Sequence, residues 1–176
     1  MKIKRSFFLF ITFTLIPVVV FSQKDEEWNA KELEYYKTIK GLSDYIVTSV
    51  KISKDTLFDK YIFFDNVLDD TNSERKKRRI RAFDTIFHHI PSTIDSIGIE
   101  NLDAKPIRFF KTHKIYEPFE KNLKGFEKDV LVYYLKDDAE NPLGYLLFEE
   151  NSSKLASWIL LNQGDQGWFF LTFNLL

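Results

Sequence analysis

The sequence predicts an α+β fold in which N-terminal helices pack on a C-terminal antiparallel β-meander, a curved sheet of four to five strands. Three observations predict it. From about residue 25 to 97 the apolar residues recur at spacings of three and four, the period of a helix with one buried face. After Pro106 the pattern changes to short aromatic and β-branched runs separated by turn residues. The connections between those runs are only a few residues long. That suits hairpins, since a parallel crossover needs about a dozen residues or more.

Taken in order, Trp28, Leu33, Tyr36, Ile39, Leu42 and Ile46 mark the first helix. Gly41 interrupts it at a cost of roughly 1 kcal/mol relative to alanine, which allows a bend or a stop there. Residues 45–52, rich in β-branched side chains, fit a short strand as well as a helix. Leu57, Tyr61, Phe64 and Leu68 predict a second helix, with Ser53 or Asp55 as its N-cap. Thr71 and Glu74 have capping-box spacing for a third, whose buried stripe is Ile80, Phe83, Phe87 and Ile90. Pro91 and Ser92-Thr93 are expected to end it or force a turn.

Strands are expected at residues 107–116, 130–135, 143–149, 155–162 and 168–173. Between them lie Lys124-Gly125, Asp137-Asp138 through Asn141-Pro142, Asn151-Ser152-Ser153, and Gly164-Asp165-Gln166-Gly167. Several of these runs have lost the apolar–polar alternation of a one-sided sheet, so both faces need cover. Either the helices and connecting loops, with residues 107–116 among them, bury both faces, or an exposed patch remains. Such a patch marks a partner surface, an oligomer interface or an apolar ligand cavity. Trp158, Trp168, Phe170 and Tyr133 are the interface candidates.

Helices followed by a curved antiparallel sheet resemble, in element order alone, the cone-shaped nuclear-transport-factor-2-like and cystatin-like folds. The resemblance implies a concave sheet with room for a pocket beneath the helices. It implies no single function, because such folds host enzymes, binding modules and structural proteins alike.

The first residues read as a secretory leader. Lys2, Lys4 and Arg5 precede an uncharged apolar stretch over residues 7–21, and Val20 and Ser22 form a small-residue cleavage site. Fifteen such residues are short for a bilayer span, which needs roughly 20, and Pro17 also favours cleavage over anchoring. The expected organisation is a signal peptide over 1–22 and a single domain over 23–176, exported to a periplasmic or extracellular location. An uncleaved N-terminal membrane anchor is the alternative. Removing the three leader cations from the 25 basic residues leaves 22 against 26 acidic ones, a net charge of −4. That balance argues against general binding to nucleic acid or to anionic membranes.

The chain has no cysteine, which excludes disulfides, thiolate zinc sites, a thiol nucleophile and lipidated cysteine. It has no HExxH, GxSxG, GxGxxG or Walker sequence either. No metal and no cofactor is expected. The strongest local feature is the run Arg75-Lys76-Lys77-Arg78-Arg79 followed by Arg81. It is either a solvated helix start balanced by Asp69, Asp70 and Glu74, or an anion site using Arg75, Lys76, Arg78, Arg79 and Arg81. Asp84 and His88, at i and i+4, form a helix-surface pair or, with His113, the polar groups of a pocket. The leading expectation is a small exported non-catalytic binding protein, whose aromatic sheet face contacts an envelope or secreted partner or a second copy. A ligand-binding or enzymatic pocket using Asp84 and His88, and anion binding by the basic helix, are the alternatives.

Overall fold

The computed structural model describes residues 27–65, 73–174 and 176. The leader, Leu68, Asp69, Asp70 and the Thr71 cap lie outside the described residues. Helix α1 (Ala30–Thr48) begins at Asn29, whose side chain accepts from the Glu32 N–H at 2.9 Å. The Glu32 carboxylate accepts in return from the Asn29 N–H at 2.8 Å, so two orphan donors are satisfied at once. Trp28 precedes the helix and packs edge-on to Tyr36, with ring centroids 5.2 Å apart. Gly41 does not stop α1, and residues 45–48 remain helical. The reason for the glycine is a neighbour: a Cβ there would stand 3.1 Å from Cε1 of Tyr61.

Glu32 is buried, and its carboxylate receives Arg108 Nε at 2.6 Å and Arg108 Nη2 at 2.9 Å. Burial alone would raise its pKa. The hydrogen bonds from Arg108 and the Asn29 N–H, with the Arg108 charge, outweigh that and hold the carboxyl below its ordinary value. A folded pKa below the unfolded one means the stabilisation is complete above the unfolded pKa and is lost as pH falls through the folded one. Glu32→Gln is therefore expected to cost about 1–3 kcal/mol near neutrality. It should also lose less further stability on acidification than the wild type. Urea unfolding at stepped pH checks this, and parallel acid slopes for the two proteins would contradict it.

Ser53 caps α2 (Lys54–Lys60), which is shorter than the spacing of Tyr61, Phe64 and Leu68 predicts. At Ile62 the chain leaves the helix to pair with a strand: the Phe63 N–H donates to the Leu155 carbonyl and the Leu155 N–H to the Tyr61 carbonyl, both at 2.8 Å. Helix α3 (Ser73–Phe87) buries Phe83 and Phe87, and leaves Ile80 partly covered. It ends at Phe87 with a turn at His88 and His89, as expected ahead of Pro91, which has no N–H for the Phe87 carbonyl. The proline also opens a separate helix, α4 (Ile90–Ile97), in the first turn, where its missing N–H has no intrahelical partner to lose.

The main sheet has the order β1 (Leu102–Pro106), β2 (Val130–Leu135), β3 (Gly144–Phe148), β4 (Leu155–Ser157), antiparallel throughout and not closed. A register shift at Leu147/Phe148 marks an irregularity between β3 and β4. A two-stranded hairpin follows, β5 (Leu160–Asn162) with β6 (Trp168–Phe170). Its turn is the expected one, with Gly164 and Gly167 at φ +62° and +83°. The run 155–162 therefore divides in two. At the break the buried Ser157 hydroxyl donates to the Leu171 carbonyl at 2.7 Å and accepts from the Ile159 N–H at 3.0 Å.

The strand expected at 107–116 is not one. The first strand ends at Pro106, and the next residues form 3-10 turns at Ile107–Phe110 and Lys114–Tyr116, followed by α5 (Glu117–Lys121). The physical reason is the sheet's second face. Val130, Val132, Leu147 and Ala156 point away from the helices, and Ile107, Tyr116, Phe119, Leu123 and Phe170 bury them. The opposite face, with Ala104, Leu131, Leu146, Phe148 and Leu155, packs on α1, α2 and α3. Both apolar faces are thus covered, one by helices and one by a strap and a hairpin.

Candidate functional site

Where α1 and α4 cross the first face of the sheet they do not close on it. A cavity of about 160 Å³ remains, with Ile39, Leu42 and Ile46 of α1 on one side. Leu146 and Leu155 with Ala104 and Tyr133 line it from the sheet, together with Trp158. The third wall is α4. Ile90, Ile94 and Ile97, at i, i+4 and i+7, share one face of a two-turn helix, and Ser92, Thr93, Asp95 and Ser96 face the other way or the rim. Such a stripe is ordinarily pressed into a core. Here no residue of α4 is fully buried: Ile90, Ile94 and Ile97 line the cavity, and Ile90 and Ile94 also pack in part against the core.

The polar groups of the lining are few. Tyr36 donates its hydroxyl to Asp103 Oδ1 at 2.9 Å. Burial, then the Asp103 hydrogen bond and charge, push the Tyr36 phenol up to about 12. It remains a neutral donor across the biological range. Lys40 and Ser43 of α1 and Thr93 of α4 complete the rim. The arrangement is suited to holding an apolar body by shape and burial, with a small polar end to orient it.

The sequence-based candidates fall in several places. Asp84 pairs with Lys54 (2.6 Å) rather than His88, and both partners are half exposed. His88 and His89 are exposed with their rings 5.0 Å apart, and neither lines the cavity. His113 lies elsewhere. Its Nδ1 accepts from the Ile115 N–H at 3.1 Å, which leaves Nε2 to carry the proton towards the Glu140 carbonyl at 2.9 Å. Among the described residues no group of three or more histidine and carboxylate side chains is placed to hold a metal. A second, more open and more polar depression of about 340 Å³ brings His113 together with Tyr145 and Trp168.

The basic run does not act as one surface. Arg75, Arg78 and Arg81 are exposed, Lys76 is half buried, and Arg79 is fully buried. Its guanidinium donates to the Asp65 carbonyl (2.9 Å), the Phe173 carbonyl (3.3 Å) and Asn174 Oδ1 (3.1 Å), and lies 4.3 Å from the Phe64 ring centre. Of the aromatic candidates, Tyr133 and Trp158 line the cavity, Phe170 is buried in the second cluster, and Trp168 is half buried against it. The groups missed at the sequence level are Tyr36, Lys40, Ser43, Asp103 and the isoleucines of α4. The signal for the last was present, since Pro91 followed by Ile94 and Ile97 is the pattern of a new amphipathic helix.

No family model, curated protein or solved structure matches this chain. The site is read from its own chemistry. Among the described residues no helix is long and apolar enough to cross a membrane.

Proposed function

We propose that this is a non-catalytic binding protein of an exported compartment, which holds a small apolar ligand between α1, α4 and the first face of the sheet. The observation that carries the reading is α4: an amphipathic helix whose three aligned isoleucines line a cavity, Ile90 and Ile94 packing against the core only in part. Hydrophobic burial would favour filling it, at about 25 cal/mol for each Å² of apolar surface removed from water. Cavities of about 150 Å³ lined by aliphatic side chains stay dry and take up a benzene-sized guest. Export is supported by the basic residues Lys2, Lys4 and Arg5 ahead of the apolar stretch 7–21. A contact surface for an envelope partner or a second copy would centre on Trp168, since Phe170 is covered and Tyr133 and Trp158 belong to the cavity.

The test is a toluene titration of protein carrying 13C-labelled isoleucine methyl groups. Resonances of Ile39, Ile46, Ile90, Ile94 and Ile97 are expected to shift and saturate, and Ile107, buried in the other cluster, to stay in place. Shifts that are absent, or as large at Ile107, would remove the reading.

A further inference from the structure

We infer that the ligand is a small amphiphile, its apolar part in the cavity and a carboxylate held by Lys40 and Ser43; this rests on the cleft-binding reading above. The polar groups of the lining divide into engaged and free. Asp103 Oδ1 already accepts from the Tyr36 hydroxyl and from the Ala104 N–H at 2.8 Å. The Thr93 hydroxyl donates to the His89 carbonyl at 2.9 Å. Lys40 and Ser43, three residues apart on α1, make no hydrogen bond or ion pair among the described residues.

The Ser43 hydroxyl does not return to its own helix, unlike those of Thr48, which donates to the Asp44 carbonyl (2.7 Å), and Thr85, which donates to that of Arg81 (3.0 Å). The lining therefore includes a lysine and a serine on one helix whose donors are not engaged, while its one carboxylate is already hydrogen-bonded. An anionic, acceptor-rich head complements that arrangement, and charge-assisted bonds beside an apolar wall are the strong ones. A cationic head would meet Lys40.

Octanoate, 1-octanol and octylamine share one chain and differ in the head. Titrated into isoleucine-methyl-labelled protein, octanoate is expected to bind about tenfold more tightly than 1-octanol. Lys40→Met should abolish that advantage, Ser43→Ala should reduce it, and added salt should weaken it. The affinity for 1-octanol should stay unchanged in both variants, which reports an intact cleft. Equal binding of octanoate and 1-octanol, or a preference for octylamine, overturns the carboxylate assignment and leaves the cleft reading standing. Binding of none of the three overturns both.

Discussion

Replacing Arg79 with leucine is expected to cost about 3–5 kcal/mol of stability, and Arg78→Leu, one residue earlier, less than about 0.5 kcal/mol. The two residues are neighbours in a cationic run, yet Arg79 is fully buried and Arg78 is exposed. Replacing a buried ion pair by apolar residues can be neutral, because both charges leave together. That escape is closed here. The groups Arg79 satisfies include the main-chain carbonyls of Asp65 and Phe173, which no side-chain substitution removes. A carbonyl left bare in a buried site, as at Phe173, costs about 1–3 kcal/mol, and the part-buried Asp65 carbonyl adds less. Arg79→Lys should recover only part of the loss, since one ammonium cannot reproduce the planar fork that reaches Asp65, Phe173 and Asn174 together. Urea-denaturation midpoints at constant m-value would measure the three variants. An Arg79→Leu midpoint level with that of Arg78→Leu would show that the guanidinium is not buried in solution.

Arg79 also shows what sequence could and could not convey. Six cations in seven positions spread round most of a helix and read as a solvated start or an anion site, and only the helical phase of Phe83 and Phe87 turns Arg79, a turn earlier, towards the core. Charge composition dominated that reading, while the acceptors that justify burial lie at Asp65 and beyond residue 170, far along the chain. Strand Val130–Leu135 was legible residue by residue because an uninterrupted β-branched and aromatic run between turn signals has few alternatives. The same chemistry at 107–116 misled. Ile107, Phe109, Phe110 and Ile115 have strand-forming composition, but a sheet that is apolar on both faces needs a cover, and that demand is set by tertiary packing. The cavity was invisible for a related reason. Apolar periodicity identifies which face of α1 or α4 turns inward, and carries no information on whether the inward faces meet.

Ala104→Leu tests whether they meet. Ala104 is buried on β1 and lines the cavity, so added methyl groups enter empty space. The variant is expected to be more stable by about 0.5–2 kcal/mol, as cavity-filling substitutions commonly are. It should also lose the toluene-induced shifts of the α4 isoleucines. Its counterpart is Ile94→Ala. Truncating an aliphatic side chain in a packed core costs about 2–5 kcal/mol, because its neighbours lose their contacts and a cavity appears. Ile94 is half buried and already faces a cavity, so its truncation should cost less than about 2 kcal/mol. Calorimetric melting of the two variants with and without toluene separates the cases. If the helices close on the sheet in solution, leucine at 104 overpacks and destabilises by about 1–3 kcal/mol, alanine at 94 costs the full core amount, and toluene changes neither melt. If the cleft is open, one substitution stabilises, the other is mild, and toluene raises the melting temperature of the wild type but not of Ala104→Leu. The two patterns are opposite in sign at residue 104, so a single pair of melts decides between a binding cleft and a loosely drawn core.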